Sequence, residues 1–140
     1  MGFFMKIKFL LPILLLCSFF AHLVQTNWGQ TSITLKRLDT ENNQYLYYDL
    51  YKPANATSTS KAPLIAVIPG FQRSKEALSN VAIELSRRGH VVALIDPYAQ
   101  GLSSSSSSTL AATTQGYGMF HLVDYYYDND TVDYIDKNLI

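Results

Sequence analysis

The sequence predicts an α/β fold with a parallel βαβ unit at its centre, and three patterns support this prediction. Two continuous apolar runs, 64–68 and 91–95, are rich in β-branched residues, as is typical of strands buried on both faces. Apolar residues at helical spacing lie between these two runs. Before them, two segments of alternating polarity indicate an antiparallel hairpin. An apolar N-terminal segment precedes all of these elements.

The N-terminal segment has the character of an export or anchoring signal. Lys6 and Lys8 precede the apolar run Phe9–Ala21. A signal-peptide core is about 7–15 residues long, whereas a spanning helix needs roughly 20. We therefore interpret residues 1–26 as a signal peptide or a short transmembrane anchor, with a buried core helix as the less favoured alternative. Residues 27–140 then form one domain outside the cytoplasm, either membrane-anchored and facing outward or secreted.

The hairpin is the first element predicted in residues 27–140. Polarity alternates over Ile33–Leu38 and again over Gln44–Pro53, and Glu41-Asn42-Asn43 has the composition of a turn. The Pro- and Ser-rich stretch that follows has no periodicity, so we expect a surface connection before the first apolar run.

Residues 74–89 predict the helix of the βαβ unit. Ser74 is placed to cap its first turn, and Gly89 is placed to end it. The next strand, Val91–Ile95, follows directly. The predicted apolar stripe of the helix consists of Ala77, Leu78, Val81, Ala82 and Leu85.

A second helix is predicted over residues 118–129, after a low-complexity loop that contains the serine run Ser103–Ser108. Leu139-Ile140 look like the first two residues of a third buried strand. We therefore expect the natural reading frame to continue beyond codon 140. The apolar positions of the second helix are Met119, Leu122, Val123 and Tyr126.

Composition excludes several classes of protein. Apolar residues make up 48% of the chain and charged residues 16%, which excludes a disordered chain. Eleven basic and eleven acidic residues leave no net charge, and the basic residues are scattered, so a nucleic-acid partner is not expected. Cys17 is the single cysteine, and the aspartates after residue 120 have no histidine or cysteine at ligand spacing. The sequence therefore predicts no disulfide, no metal site and no cofactor.

The stretch from Pro63 to Ser103 resembles the α/β-hydrolases, particularly the dienelactone-hydrolase-like and acyl-peptidase-like serine hydrolases. In that family, a strand ending in His-Gly-x leads through a helix to a strand ending in Asp-x-x-Gly-x-Gly-x-Ser. This chain has Pro69-Gly70-Phe71 and Asp96–Ser103 at those positions, with Pro69 in place of the common His and Ala99 in place of Gly or Pro. The resemblance runs from about Ile33 to the C-terminus. It implies the N-terminal half of an α/β-hydrolase fold.

The resemblance implies one site residue in this chain, Phe71. Gly70 permits a sharp turn after the strand, and the Phe71 backbone amide is expected to be one of two oxyanion-hole donors. The sequence contains no Gly-x-Ser-x-Gly elbow. The nucleophile, acid and base are therefore expected beyond residue 140, with the elbow within about ten residues. The three histidines, His22, His90 and His121, are expected to be structural or solvated.

The expected function is that of an N-terminal fragment of a serine hydrolase. In the complete protein, the enzyme would act on the ester, thioester or amide bonds of a small-molecule or peptide acyl substrate through an acyl-enzyme, and residues 1–26 would associate with the membrane. The fragment alone would be inactive. The alternative is an exported or membrane-anchored, non-enzymatic α/β binding module. An elbow in the downstream sequence favours the enzyme, and a natural stop codon favours the module.

Overall fold

The structure is a computed structural model that describes residues 15–17, 30–40, 43–70, 72–105 and 116–140. Within the predicted signal or anchor segment 1–26, only Leu15, Leu16 and Cys17 are described, and they are helical. Among the described residues, no helix is both long and apolar enough to cross a membrane. The signal-or-anchor interpretation concerns residues that are mostly outside the described ranges, and it stays a prediction.

A four-stranded sheet organises the described residues. Its strands are β1 (Thr31–Asp39), β2 (Tyr45–Pro53), β3 (Leu64–Val67) and β4 (Val91–Ile95), in the order β1-β2-β4-β3. Strands β1 and β2 pair antiparallel, β2 and β4 pair antiparallel, and β3 and β4 pair parallel. The hairpin and the parallel pair are therefore confirmed, although β3 ends one residue earlier than predicted. Residues 41 and 42 of the predicted turn lie outside the described ranges.

The helix between β3 and β4 begins with a tighter turn than predicted. A 3-10 turn (Lys75–Leu78) precedes helix α1 (Ser79–Arg87), and Gly89, with φ of 95°, lies just beyond its end. A 3-10 helix has 3.0 residues per turn, whereas an α-helix has 3.6. The buried positions are therefore shifted around the helix axis from those predicted for a continuous α-helix. Ala77 and Val81 are exposed, so the prediction was wrong for both. The buried or half-buried positions are Lys75, Leu78, Ser79, Ala82, Ile83, Leu85 and Ser86.

Helix α2 (Met119–Asp128) and helix α1 cover opposite faces of the sheet. Alternate residues of β2 and β4 point to opposite faces, so each strand contributes to two core clusters. Leu122 and Tyr126 of α2 pack in one cluster, and Ala82 of α1 packs in the other. The α2 side contains Leu46, Tyr48, Leu50, Val91, Ala93 and Ile95, and the α1 side contains Tyr51, Val92 and Leu94. The result is a three-layer α/β arrangement.

The segment after α2 runs beside β3, on the side opposite β4. The Ala62 N–H donates to the Tyr134 carbonyl at 3.0 Å, and the Asp136 N–H donates to the Ala62 carbonyl at 2.9 Å. The Leu64 N–H donates to the Leu139 carbonyl at 3.1 Å. Leu139, which was predicted to begin a third buried strand, therefore lies beside β3 but in no assigned strand. Leu139 and Ile140 are nevertheless exposed rather than buried, because no described element packs over them.

Candidate functional site

The candidate site lies at the carboxyl ends of the parallel strands β3 and β4. Ile68, Pro69 and Gly70 follow β3, and Asp96 and Pro97 follow β4. In open α/β sheets, ligands bind in the crevice outside the carboxyl ends of the strands. The two loops that leave these strands therefore form the part of the fold in which chemistry is expected.

Asp96 joins the two loops. The residue is 0% exposed, its Oδ1 accepts the Lys75 N–H at 2.8 Å, and its Oδ2 accepts the Leu102 N–H at 3.1 Å. The first N–H groups of a helix have no partner within the helix, and a carboxylate is a strong acceptor for them. Ser74, which the sequence predicted as the cap, makes no side-chain capping bond. Asp96 caps this turn instead.

Gly101 is required by the buried Asp96 carboxylate. Its φ is 54°, and a Cβ at this position would overlap the Asp96 side chain. Ala99 also has a positive φ, of 63°, at the position where the resembled motif has Gly or Pro. A residue with a side chain is strained in this region, which explains the preference for glycine there. Ala99 is held by a bond from its N–H to the Ser104 carbonyl at 2.8 Å.

Lys75 is buried among carboxylates, with only 4% of its surface exposed. Its Nζ lies 2.7 Å from Glu76 Oε1, 3.6 Å from Asp96 Oδ2 and 3.7 Å from Asp49 Oδ2. The hydrogen bond from Lys75, followed by one from Ser74, lowers the pKa of Glu76 to about 2. Burial raises the pKa of Asp49, although Lys75 opposes this shift. The cluster holds the loops together by charge. The described residues contain no group of three His, Cys, Asp or Glu arranged to hold a metal ion.

A pocket of about 340 Å³ opens between the two loops and the start of α2. Among the described residues that line it, the Gln100 amide and the Tyr117 hydroxyl are the hydrogen-bonding side chains, and none is charged. Such a mainly apolar cleft with few polar groups is typical of a small-molecule site. The lining residues are Ile68, Pro69, Gly70, Pro97, Gln100, Gly116, Tyr117 and Met119.

A larger pocket, of about 550 Å³, lies away from these strand ends, between the hairpin and α1. Thr31, Pro53 and Ile83 are among its lining residues. We base the functional argument on the smaller pocket because its walls come from the loops after two parallel strands.

The residues after β3 form a tight turn against the Gln100 side chain. The Arg73 N–H donates to the Gly70 carbonyl at 3.2 Å and to Gln100 Oε1 at 2.9 Å. Gln72 has φ of 61°. Phe71, the predicted oxyanion-hole donor, lies outside the described residues, so its role stays a prediction. Neither the Gln100 contact nor the buried Lys75 was identified from the sequence.

Ser103 and Ser104 lie in the predicted low-complexity loop, and their hydroxyl groups support the site. The Tyr47 N–H donates to Ser103 Oγ at 2.8 Å, and the Tyr45 N–H donates to Ser104 Oγ at 2.9 Å. The Ser103 hydroxyl donates to the Asp96 carbonyl at 2.7 Å. These hydroxyls satisfy backbone groups where β2 has no strand neighbour. The loop assignment is confirmed for these two serines, and residues 106–108 of the run lie outside the described ranges.

The described histidines make structural contacts. His121 Nδ1 is 3.0 Å from the hydroxyl of Tyr98, which also lies 2.6 Å from Thr40 Oγ1. Burial raises the pKa of Tyr98. His90 Nδ1 lies 3.2 Å from the Leu85 carbonyl. His121 thus connects α2 to the loop after β4, and His90 contacts the end of α1.

No family model and no curated protein matches this sequence. Solved structures do match. The α/β hydrolase GrgF from Penicillium sp. sh18 is 21% identical, with a TM-score of 0.56 over 70% of this chain and 33% of that one. The esterase Pf2001 of Pyrococcus furiosus is 18% identical, with a TM-score of 0.57 over 79% of this chain and 42% of that one. The thioesterase domain from the curacin biosynthetic pathway is 16% identical, with a TM-score of 0.52 over 66% of this chain and 33% of that one.

These likenesses concern the fold. The predicted resemblance to the α/β-hydrolases is confirmed at that level, over part of the fold. The chain spans between 33% and 42% of the lengths of the three proteins.

Proposed function

From its fold, which is that of part of an α/β-hydrolase, we propose that this chain supplies the N-terminal part of a serine hydrolase. The complete enzyme would cleave ester, thioester or amide bonds of a small-molecule or peptide acyl substrate through an acyl-enzyme. The observation that carries the proposal is the uncharged pocket at the carboxyl ends of β3 and β4, with Gly70 in its wall. The esterase and thioesterase among the similar structures support the same bond types.

The pocket is suited to stabilising a developing negative charge. Backbone N–H groups act most strongly on an oxyanion in a site that excludes water and competing charges. Gly70 has no side chain, and a Cβ at this position would meet nothing within 4 Å, so the backbone here is open to a ligand. We assign one oxyanion-hole donor to the Phe71 amide, on the resemblance to the family motif.

The nucleophile, acid and base are proposed to come from sequence outside residues 1–140. No serine here has glycines two residues away on both sides. The described histidines contact Tyr98 and Leu85 rather than a serine hydroxyl. We therefore expect residues 1–140 alone to show no hydrolytic turnover.

The first experiment is to determine the gene sequence past codon 140 and to express the whole frame. We expect a Gly-x-Ser-x-Gly elbow within about ten codons. We also expect covalent labelling by a fluorophosphonate and hydrolysis of p-nitrophenyl esters and acyl thioesters. The 140-residue chain should show neither property. A stop codon directly after Ile140 in an intact gene, or a complete protein that fluorophosphonate does not label, would refute the proposal.

The role of Phe71 is tested by a matched pair of variants in the complete protein. Phe71→Pro removes the backbone N–H and should lower kcat by about 10²–10³-fold, the usual cost of losing one oxyanion donor. Phe71→Ala keeps the N–H and should retain most of kcat. Equal losses in both variants would show that the side chain matters and the amide does not.

One observation favours the alternative, a non-enzymatic binding module. Phe120 and Tyr127 on α2, and Tyr117 just before it, are exposed aromatic residues. Exposed aromatic side chains are enriched at protein interfaces.

Under either function we propose that residues 27–140 lie outside the cytoplasm, secreted or held by residues 1–26. Fractionation of the source cells with N-terminal sequencing of the mature protein tests this location, and an unprocessed protein in the cytosol would contradict it.

A further inference from the structure

We propose that Gln100 is a positioning residue that holds the turn from Gly70 to Arg73 against the loop after β4. Gln100 Oε1 accepts the Arg73 N–H at 2.9 Å, so one side chain connects the two loops that form the pocket. The consequence for catalysis rests on the proposed function. The contact itself is a property of this chain and can be tested without turnover.

The turn needs a partner of this kind. Within the turn, the same Arg73 N–H reaches the Gly70 carbonyl at the longer distance of 3.2 Å. Gln72 has φ of 61°, a left-handed conformation that is strained for a residue with a side chain. Strained backbone persists only where its surroundings fix it. The side-chain oxygen of Gln100, Oε1, supplies such a contact from outside the turn.

Gln100 is itself held firmly enough to act as a support. Its N–H donates to the Pro97 carbonyl at 3.0 Å, and its carbonyl accepts the Ser103 N–H at 3.2 Å. The next residue, Gly101, lies against the buried Asp96 carboxylate. The side chain that reaches Arg73 therefore starts from backbone fixed on both sides. Asp96 fixes the position of the loop after β4, and the Gln100 side chain then holds the loop after β3 beside it.

The amide chemistry of Gln100 suits a site that develops negative charge. Because Oε1 accepts a backbone N–H, the other end of the group is an uncharged NH₂ donor beside the pocket. A glutamate would accept the same N–H but would place a negative charge there. Substitution can therefore distinguish two properties of Gln100, namely its ability to accept the Arg73 N–H and its lack of charge.

The contact is tested by amide hydrogen exchange of Arg73 in the 140-residue chain. Gln100→Met keeps the side-chain length but removes the acceptor, and should speed exchange of the Arg73 amide by about 3- to 10-fold. Gln100→Glu keeps an acceptor and should leave this exchange unchanged within about 2-fold. Gln44→Met is the matched control, because Gln44 Nε2 donates to the Ser105 carbonyl, away from the turn. Unchanged exchange of the Val92 amide in β4 shows that the fold is intact.

An unchanged Arg73 exchange rate in Gln100→Met would overturn the proposal. In the complete hydrolase, Gln100→Met should lower kcat about 10-fold with KM nearly unchanged. Faster Arg73 exchange with normal kcat would overturn the catalytic consequence. Faster exchange in a complete protein that shows no hydrolase activity would support the contact and count against the proposed function alone.

Discussion

The loops after β3 and β4 and the outer strand β1 are organised in opposite ways. The loops are organised around a buried carboxylate, because Asp96, at 0% exposure, accepts bonds from Lys75 and Leu102. In β1, most side chains face solvent, and Ile33 is 53% exposed although it is apolar. The backbone of β1 pairs with β2 along its whole length. Side-chain chemistry therefore specifies the loops, whereas backbone pairing specifies the strand.

This difference predicts where the protein tolerates substitution. A buried charge that loses its partner is costly, whereas a surface side chain can be exchanged with little effect. If buried polar contacts stabilise the loops and backbone pairing stabilises β1, removing a buried side chain from a loop should lower the free energy of unfolding strongly. Exchanging an exposed side chain of β1, even a bulkier one, should lower it far less.

The largest effect is expected for Asp96→Ala. The change leaves two backbone N–H groups without their acceptor and removes a counter-charge from the buried Lys75. We expect the free energy of unfolding to fall by about 3–5 kcal/mol, measured by urea denaturation. Asp49→Ala is the matched control, because Asp49 lies 3.7 Å from the same ammonium and is partly exposed, and it should cost less. Equal losses would show that the ion pair, rather than the capping of backbone groups, stabilises the loops.

The second effect comes from Gly101→Ala. The new Cβ would overlap the Asp96 carboxylate, and φ of 54° is unfavourable for alanine. Overpacking and backbone strain together should cost about 2–4 kcal/mol in urea denaturation. Gly70→Ala in the neighbouring loop is the control, since a Cβ there meets nothing within 4 Å, and it should cost less than about 1 kcal/mol. A loss below about 1 kcal/mol at position 101 would mean that the loop after β4 adjusts freely.

The sequence predicted those parts of the fold that local patterns determine. The apolar runs predicted β3 and β4, because burial on both faces leaves a continuous apolar stretch. Alternation predicted β1 and β2, and helical spacing predicted α1 and α2 to within a few residues. The order β1-β2-β4-β3 depends on pairing between distant segments, which no local pattern encodes.

The details of the site were harder to predict because they depend on partners far along the chain. Ser74 looked like a helix cap, but Asp96 caps that turn with Oδ1, while its Oδ2 accepts the Leu102 N–H. No sequence pattern marked Lys75 as buried, because its partners Asp49 and Asp96 lie far from it in the sequence. The Asp and Gly spacing in the resembled motif was the available signal for Asp96 and Gly101. Nothing comparable marked Gln100, which occupies a variable position of that motif.

A substitution on the α2 face of the sheet should cost less stability than one at Asp96 or Gly101 and more than one in β1. Tyr48 and Tyr126 share a buried hydrogen bond with their hydroxyl oxygens 3.0 Å apart, and burial raises the pKa of Tyr48 to about 12. Tyr126→Phe leaves the Tyr48 hydroxyl without this partner and should cost about 1–2 kcal/mol in urea denaturation. The double variant with Tyr48→Phe should lose less than the sum of the two single losses. Strict additivity would show that the hydroxyls do not interact.

A smaller effect is expected from Glu76 at low pH. Its carboxylate, bonded to Lys75, has a pKa of about 2 in the folded protein, against its ordinary value of 4.5. Because the folded pKa is the lower one, Glu76 contributes stability above about pH 4.5, and this stability disappears as pH falls toward 2. The side chain is 65% exposed, so solvent screening limits the contribution to less than about 1 kcal/mol.

The test for Glu76 is the difference in urea midpoint between the unaltered chain and Glu76→Gln. The difference should be present at pH 6 and absent near pH 2. The raised pKa of Asp49 acts with the opposite sign, but Asp49 is present in both proteins and cancels from the difference to first order. A difference that is the same at both pH values would show that the effect of the substitution is not electrostatic.

The smallest effect should come from β1 itself. Ile33→Thr exchanges a half-exposed apolar side chain for a polar one that is also favourable in strands, and it leaves the pairing with β2 intact. We expect a change within about 0.5 kcal/mol by urea denaturation. Leu50→Thr on the adjoining strand is the control, because Leu50 is buried against the α2 side of the core, and it should cost several times more. If Ile33→Thr costs as much as Leu50→Thr, the outer face of β1 is packed against something in solution, and the contrast with the loops does not hold.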